Sequence, residues 1–329
     1  MTHVAVDVMG GDRGPAVTVP AALHCLARDS ELELTLIGNV EQMGAVAERP
    51  RLRVIDARES VTMGESPVHA LRHKKGSSMH VMLELLRDGG AQAAVSAGNT
   101  GALVAISRYF VKTLAGVRRP AIVKALPTMC GHSYLLDVGA NIECDTDQLV
   151  QFAVMGSTLC QIVDEVMAPR VALLNIGEEE IKGGDRMRAA AQRLDATEGV
   201  NFVGFIEADG IYRGEAEVVV TDGFVGNIAL KASEGAAMMA GYILREAATQ
   251  SSFRRLLALL ARPILGSVAA RVNPERYNGA SLIGLRSTVI KSHGGANEKA
   301  FVHAIAQAIG EARQELPARI AERLKLVLP

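Results

Sequence analysis

One local pattern occurs six times in this sequence and constrains its fold more than any other feature. In each case an apolar run ends in glycine together with asparagine, aspartate or serine, and a helical pattern follows. Continuously apolar strands that alternate with helices predict a three-layer α/β/α fold, in which helices cover both faces of a mostly parallel central sheet. The six segments are residues 4–15, 93–107, 135–145, 173–183, 218–231 and 289–301.

The turns that end these runs have the composition of a ligand site. In parallel α/β sheets a ligand lies beyond the carboxyl ends of the strands, where such turns collect. Glycine lets the backbone approach a ligand closely, and asparagine offers a donor and an acceptor without charge. The turns therefore predict a neutral, donor-rich pocket floor. They match neither the dinucleotide fingerprint nor the P-loop.

The second segment leaves two interpretations open. Residues 93–95 read as a short buried strand, residues 98–101 as a tight turn, and a helix follows from Ala102. The first backbone N–H groups of that helix lack partners and could receive an anion. Alternatively, Asn99 or Thr100 caps an ordinary helix and no ligand is involved.

The overall composition argues against nucleic acid as a partner. The chain has 35 Lys and Arg against 36 Asp and Glu, a formal net charge of -1, 4% aromatic residues and no Trp. It therefore has no overall basic field and few platforms on which bases could stack. The cysteines lack the spacing of a zinc site, and we expect reduced thiols in a cytoplasmic protein. They are Cys25, Cys130, Cys144 and Cys160.

We expect residues 1–329 to form a single α/β unit with a helical tip at residues 251–277. A chain of 329 residues could form one large unit or two domains, but its Gly and Pro residues are spread along the chain instead of marking a linker. No apolar run reaches the roughly 18 residues that a membrane span requires.

Charged residues next to the predicted strand ends are candidates for chemistry. Lys182 follows three consecutive glutamates and precedes Gly183 and Gly184. A glycine-flanked cation at a strand end can reach a phosphate or a developing oxyanion. The alternative is an acidic first helical turn followed by a solvated lysine.

Three aspartates, Asp7, Asp137 and Asp222, follow or interrupt apolar runs and precede glycine. Buried carboxylates are unusual unless they are paired or hydrogen-bonded. These could contact a ligand directly, or they could hold the turns in shape by accepting backbone N–H bonds. No Asp, Glu and His cluster has a regular ligand spacing, so we expect no metal ion.

The histidines and a local basic run are weaker candidates. His69 and His73 share a helix face next to the run that contains Lys75, which is either a solvated surface or a rim that guides anions. His293 lies among glycines at a strand end and is the histidine best placed for acid–base work. No sequence motif marks a serine or cysteine nucleophile.

Eight blocks in order resemble the PlsX-type phosphate acyltransferases of bacterial phospholipid synthesis. The blocks are DVMGGDRGP, RHKKGSSM, VSAGNTGAL, LLDVGAN, LVQFAVMGS, LLNIGEEEIKG, VVVTDGFVGNIALKASEG and VIKSHGGAN. The resemblance implies transfer of an acyl group from acyl carrier protein to inorganic phosphate, without a cofactor. It also implies a fold similar to phosphotransacetylases and to isocitrate and isopropylmalate dehydrogenases. The expected form is a homodimer at the cytoplasmic membrane surface, which supplies a membrane glycerol-3-phosphate acyltransferase.

The implied reaction gives the candidate residues their roles. Phosphate is already a nucleophile and a thioester a good electrophile, so the enzyme must supply orientation and charge stabilisation. We assign Lys182, Asn99 and Asn227 to the phosphate and the oxyanion. Lys231 and His293 are candidates for neutralising charge or protonating the leaving thiolate. The predicted substrate-binding residues are Asp7, Gly10, Gly11, Lys75, Ser96, Gly98, Thr100, Gly139, Asn141, Asn175, Gly177, Asp222 and Gly223.

Other functions remain open at this point. A related fold could serve a phosphotransacetylase-like enzyme that uses coenzyme A thioesters, or a nicotinamide dehydrogenase, although the dinucleotide fingerprint is missing. A non-catalytic module that binds an acylated carrier is the alternative outside enzymes.

Residues 251–272 differ from the rest of the chain. Apolar side chains fall at helical spacing on one face with arginines nearby, and Pro263 breaks or kinks the helix. Such a segment is either a core or dimer-packing helix, or a tip that binds an anionic membrane reversibly and helps to receive the acidic carrier protein. The residues concerned are Phe253, Arg254, Arg255, Leu256, Leu257, Leu260, Arg262 and Ile264.

Overall fold

A single sheet of eleven strands extends through the part of the chain that is described. The computed structural model describes residues 1–44, 46, 49–179, 182–272 and 274–327. The strands are β1 (Thr2–Asp7), β2 (Leu32–Gly38), β3 (Leu52–Asp56), β4 (Ala93–Ser96), β5 (Ala121–Thr128), β6 (Gly131–Leu136), β7 (Arg170–Leu174), β8 (Asn201–Ile206), β9 (Val218–Val220), β10 (Ala280–Ile283) and β11 (Thr288–Lys291). Their order in the sheet is β3-β2-β1-β4-β11-β10-β5-β6-β9-β7-β8.

Helices follow the strands as the six segments predict: each segment begins within a strand, and a helix begins within the segment or at most two residues after it. The helices are α1 (Pro15–Arg28), α2 (Val40–Met43), α3 (Pro67–His73), α4 (Ser78–Arg87), α5 (Thr100–Phe110), α6 (Thr146–Val163), α7 (Asp185–Asp195), α8 (Ala208–Arg213), α9 (Gly223–Thr249), α10 (Ser252–Leu260), α11 (Arg262–Val272), α12 (Glu298–Arg313) and α13 (Leu316–Val327). A short 3-10 helix spans Pro274–Tyr277.

Both faces of the sheet are covered by helices, as predicted. Along β1, Val4 and Val6 pack in one apolar cluster with residues such as Phe301 of α12. Ala5, which lies between them, belongs to a different cluster with Leu83 of α4. Because successive side chains of a strand point to opposite faces, helices lie on both sides. The three-layer α/β/α fold with a mostly parallel sheet is therefore confirmed.

The strand-end turns do not share one edge of the sheet, which corrects the simplest interpretation of the sequence. The strands from β3 to β11 are parallel to one another, and so are the strands from β6 to β8. Between these two halves, β10 is antiparallel to both of its neighbours, and β5 is antiparallel to β6. The two halves therefore run in opposite directions.

Strand register nevertheless brings the carboxyl ends of the two halves together. Lys291, the last residue of β11, pairs with Ala280, the first residue of β10. The next residue, Ser281, pairs with Val123 of β5, and Val123 pairs with Leu136 at the end of β6. The ends of β11 and β6 thus reach the centre of the sheet from opposite directions.

The tip extends away from this sheet. Of all residues in α9, only Gly223 and Gly226 in its first turns are buried, and α10 has no buried residue. The predicted break is present, because α10 ends at Leu260 and α11 begins at Arg262. No helix among the described residues combines the length and the hydropathy needed to cross a membrane. Assignment of the chain to a single domain stays a prediction.

Candidate active site

The turns of the first half-sheet are held by Asp7. Its buried carboxylate accepts hydrogen bonds from the hydroxyls of Ser78 (2.6 Å) and Ser96 (2.7 Å) and from the backbone N–H of Met9 (3.2 Å). Burial raises the pKa of the Asp7 carboxyl, although these hydrogen bonds oppose the shift. Gly10 lies against the next turn, where an added Cβ would come within 2.6 Å of the Gly98 nitrogen. These contacts are those of a carboxylate that shapes turns.

Asp137 has the same role in the second half-sheet. Its carboxylate accepts backbone N–H groups of Ile122 (3.0 Å), Gly139 (3.1 Å), Ala140 (2.9 Å) and Asn141 (2.7 Å), together with the Asn141 side-chain amide (2.8 Å). Gly139 has a φ of 132°, a backbone conformation that glycine adopts readily and that residues with a side chain adopt only with strain. The turn after β6 is therefore fixed by hydrogen bonds from its backbone N–H groups to the Asp137 carboxylate.

Asp222 fixes the entry to α9. Its side chain accepts the backbone N–H of Val225 (3.0 Å) as a helix cap and pairs with the Arg186 guanidinium (2.7 Å). The Gly223 N–H donates to the Asn141 carbonyl (2.7 Å), which ties α9 to the turn after β6. The beginning of α9, with Asn227 in its second turn, is thereby held beside the carboxyl end of β6.

Three of the predicted asparagines use their amides within the protein. Asn99 accepts the Ala102 N–H (3.0 Å) and donates to the carbonyls of Met63 (2.8 Å) and Glu65 (2.9 Å). Asn141 donates to Pro120 (2.9 Å), and Asn175 donates to Gly177 (3.0 Å). For Asn99 these are the contacts of the helix cap, the alternative that the sequence left open, and no amide hydrogen remains for phosphate.

A polar cleft of about 410 Å³ lies where the two half-sheets meet. Thr100 and His293 line it from the first half, and Gly139 and Asn227 line it from the second half. Lys231, one helical turn after Asn227, also lines it. The structure therefore brings together five of the predicted site residues, although they come from strands that run in opposite directions.

Two lysines that the sequence analysis missed lie in the same cleft. Lys124 is in the middle of β5, and Lys291 ends β11. Lys291 is buried, and its ammonium group donates to the carbonyls of Ala97 (3.3 Å) and Ser292. Burial lowers the pKa of each lysine to about 8, and the charge of Lys124 adds to the lowering at Lys291. A lysine inside an apolar strand run was the available signal, since lysine is rarely buried without a reason.

The charges that line the cleft favour an anionic ligand. Among the described residues, Lys124, Lys231 and Lys291 face one carboxylate, that of Glu234. Glu234 opposes the lowering of the Lys124 pKa, and Asp7 and Asp12 do the same for Lys291. Neither Asp7 nor Asp12 lines the cleft, so an anion that entered it would offset the excess of lysines over carboxylates in the lining.

Lys182 lies outside this cleft. It is in the loop after β7, exposed to solvent, with its ammonium group 2.8 Å from the Glu179 carboxylate. The Glu179 interaction raises the pKa of Lys182. Its side chain folds over Gly177, where an added Cβ would come within 2.4 Å of it. Glu180 and Ile181 of this loop lie outside the described residues.

The basic run near α3 also lies apart from the cleft. Lys75 is exposed, and its neighbour Lys74 is 3.8 Å from Glu59. The rings of His69 and His73 lie 5.0 Å apart, which confirms that they share a helix face. The rim that this run was predicted to form stays a prediction.

An apolar cavity of about 560 Å³ adjoins the cleft. The two spaces share Lys124, Leu230 and Glu234 in their walls. Asn227 and Lys231 face the cleft, while Ser233 and Ala237, further along α9, face the cavity. One face of α9 therefore changes from polar to apolar along its length.

Comparison with known proteins connects this arrangement to a family. The model of the family described as "Fatty acid synthesis protein" matches residues 2–319. A protein of Shewanella sp. (strain ANA-3) named "Phosphate acyltransferase" is 52% identical over 99% of this chain and 97% of its own length. A protein of the same name from Shewanella baltica (strain OS155 / ATCC BAA-1091) is 51% identical over the same shares.

Solved structures share the fold at low sequence identity. A phosphotransacetylase from Streptococcus pyogenes has a TM-score of 0.61 at 16% identity and covers 95% of this chain and 94% of its own. A branched-chain phosphotransacylase from Enterococcus faecalis V583 has a TM-score of 0.59 at 13% identity and covers 95% of this chain and 99% of its own. The predicted likeness to the phosphotransacetylase fold is confirmed. On the sequence matches, the chain belongs to the phosphate acyltransferase family and is an enzyme.

Proposed function

We propose that this enzyme transfers a fatty acyl group from the thioester of acyl carrier protein to inorganic phosphate. The acyl phosphate then serves phosphatidic acid synthesis. The observation that carries the proposal is the pairing of a cleft with excess positive charge and an apolar cavity that shares its wall. Phosphate and an acyl chain are the two chemistries that such neighbouring spaces would hold.

In this proposal the cleft binds the phosphate and stabilises the reaction. Lys124 and Lys291 hold the phosphate so that one oxygen attacks the thioester carbonyl carbon. The Asn227 amide donates to the oxyanion that forms, an interaction stronger in the transition state than in the ground state. The carbon–sulfur bond then breaks, leaving acyl phosphate and a thiolate, which takes a proton from Lys231 or His293.

Lys182 takes part in the proposed reaction only if its loop moves. Its ammonium group is bound to Glu179 at the surface, so it reaches the reacting phosphate only when the loop rearranges and that ion pair opens. Exposed ion pairs contribute little to stability, so phosphate can displace Glu179 at low energetic cost. Lys182 would then stabilise charge in the transition state, while the cleft lysines bind phosphate in the ground state.

The second candidate is a phosphotransacetylase-like reaction with coenzyme A thioesters. The likeness in fold to phosphotransacetylases favours it, although at 13–16% identity that likeness reaches no further than the fold. Both candidates use phosphate and differ only in the thiol carrier.

One assay separates these candidates. Purified enzyme is incubated with palmitoyl thioesters of acyl carrier protein or of coenzyme A, with and without inorganic phosphate, and free thiol and acyl phosphate are measured. We expect phosphate-dependent release of thiol from the carrier protein, with one acyl phosphate formed per thiol. Thiol release without phosphate would contradict both candidates, and a strong preference for coenzyme A would support the second.

We further propose that the enzyme is a homodimer that touches the membrane surface reversibly through its tip. Leu256, Leu257 and Leu260 of α10 are 53%, 48% and 70% exposed. Arg254, Arg255 and Arg262 are exposed nearby, and such a combination suits an anionic lipid surface or the acidic carrier protein. Exposed apolar residues further back on α9, including Met239 and Tyr242, suit a second copy of the chain.

A further inference from the structure

We propose that the apolar cavity beside the cleft binds the acyl chain and that Ala237 limits the chain length the enzyme accepts. This inference rests on the proposed function, because the chain belongs to the thioester whose carbonyl lies in the cleft.

The distribution of charge within the cavity determines which end of the acyl chain lies at the cleft. Among the described residues that line the cavity, only Lys124 and Glu234 are charged, and both also line the cleft. Away from that shared wall, the lining consists of uncharged residues such as Leu126, Pro127 and Val268. The polar head of a ligand would therefore remain at the cleft while its apolar tail extends into the cavity.

Several polar groups of the lining are already hydrogen-bonded to the protein. The Tyr212 hydroxyl donates to the Ser233 hydroxyl, which in turn donates to the Ala229 carbonyl (2.6 Å). The Thr128 hydroxyl accepts the Cys130 N–H (3.2 Å). An apolar chain can lie against these groups without leaving them unpaired, whereas a polar ligand would find few free partners.

The distance along helix α9 from Asn227 to Ala237 can be compared with the length of an acyl chain. Ala237 comes ten residues after Asn227, which is about 15 Å along a helix axis at 1.5 Å per residue. A butyryl group contains four carbons joined by bonds of about 1.5 Å and cannot span that distance. A palmitoyl chain can. A larger side chain at residue 237 should therefore obstruct long chains and not short ones.

The test compares Ala237→Phe with Ala236→Phe, a matched change at a neighbouring residue that is not among those lining the cavity. Palmitoyl and butyryl carrier thioesters are assayed with saturating phosphate. Each buried methylene improves binding about fourfold, and pockets of this kind discriminate chain length by about 10- to 200-fold. We expect Ala237→Phe to lower the palmitoyl-to-butyryl ratio of kcat/KM by about 10- to 100-fold and Ala236→Phe to leave it unchanged.

Equal loss on both substrates by Ala237→Phe, or an unchanged ratio, would overturn the proposal. If that variant does not fold, Val268→Phe places a phenyl ring at another residue of the cavity lining and should lower the same ratio.

A binding measurement separates this inference from the proposed reaction. Displacement of a fluorescent fatty acid by palmitate is measured for the wild type and both Phe variants, with no phosphate or thioester present. We expect palmitate to bind the wild type and Ala236→Phe, and to bind Ala237→Phe at least about tenfold more weakly. Normal binding without any phosphate-dependent thiol release would refute the reaction and leave the cavity assignment standing. Absence of palmitate binding, or equal binding by all three proteins, would refute the cavity assignment.

Discussion

The cleft and the tip differ in which side chains they bury: the cleft withdraws charge from water, and the tip exposes apolar side chains to it. In the cleft, Lys291 is buried and Lys124 is half-buried, and Asp7, Asp137 and Asp222 hold the surrounding turns through several hydrogen bonds each. In the tip, apolar side chains such as Leu257 and Leu260 are 48% and 70% exposed to water, and no residue of α10 is buried within the described part of the chain. Both arrangements have a cost in the isolated chain, one in desolvated charge and the other in exposed apolar surface.

The contrast indicates which ligand each region requires. A cleft with excess buried positive charge is relieved by an anion, whereas an exposed apolar helix with arginines is relieved by a lipid surface or another protein. The two regions should therefore be separable: changes in the cleft should abolish turnover without altering membrane binding, and changes in the tip should do the reverse.

The largest effect is expected for Lys124→Met combined with Lys291→Met. Loss of both ammonium groups should lower kcat/KM for phosphate by about 10² to 10⁴, because each hydrogen bond to a charged group contributes about 1.5 to 3 kcal/mol. Sedimentation with anionic liposomes should remain at the wild-type level. Thermal unfolding of the variant gives the control for folding, since the change also removes the hydrogen bonds from Lys291 to the carbonyls of Ala97 and Ser292. Turnover within tenfold of the wild type would remove these lysines from the site.

Lys182→Ala should have the next largest effect. We expect turnover to fall by about 10² to 10³ with little change in the KM for phosphate, as for a group that acts in the transition state. The fold should survive, because the side chain is exposed. Glu179→Gln is the matched control: it releases Lys182 from its ion pair and should leave turnover within about threefold. Near-normal turnover of folded Lys182→Ala would make Lys182 a solvated surface residue.

The KM for phosphate should depend moderately on pH, and the dependence should come from Lys124 and Lys291. Burial holds the pKa of Lys124 and Lys291 at about 8, with Glu234, Asp7 and Asp12 opposing the shift. Below pH 8 both ammonium groups are charged, and above it they lose their protons. The KM for phosphate should therefore rise about tenfold between pH 8 and pH 9 in steady-state assays. Lys231 and His293 also line the cleft, so the same profile is recorded for Lys231→Met and His293→Gln, in which the rise should persist.

Unfolding does not explain such a rise. Between pH 8 and about 10.5 the unfolded chain binds more protons at these two lysines than the folded chain does, so their contribution to stability increases with pH. Thermal unfolding across this range gives the control. A KM for phosphate that is flat from pH 7.5 to 9.5 would contradict the assignment of the lysine pair.

The smallest effect on turnover is expected for Leu257→Glu combined with Leu260→Glu. Soluble turnover should remain within about twofold, because exposed substitutions away from structured features change little. Sedimentation with anionic liposomes should be lost, since two carboxylates replace apolar contacts with lipid. The variant should remain dimeric by size-exclusion chromatography with light scattering. Continued sedimentation, or dissociation into monomers, would assign α10 to the core or to the dimer interface.

Local signals predicted the elements well. The turn at Asn99 separates β4 from α5 where the sequence indicated, because the cap and the small turn residues are specified within a few positions. The reversal between the half-sheets was not predictable in this way. It depends on β10, which lies far along the chain yet inserts between β11 and β5.

The candidate site shows the same difference between residues that local sequence signals reveal and residues whose setting depends on tertiary packing. Asn227 and His293 were found because glycine-rich turns surround them, and both line the cleft. Lys124 was missed because its neighbours in sequence are ordinary strand residues, and its setting arises only when β5 packs beside β10 and α9. Lys182 stood out because glycines flank it, yet glycines also mark exposed loops.

We propose that the reacting phosphate binds in the cleft where the two half-sheets meet. The most direct measurement is a crystal structure of the enzyme soaked in inorganic phosphate, with phosphorus located by anomalous scattering. We expect phosphate within hydrogen-bond distance of Lys124 or Lys291 and next to Asn227, and none in crystals of the double lysine variant. Phosphate bound only at the loop after β7, with the cleft empty, would contradict it.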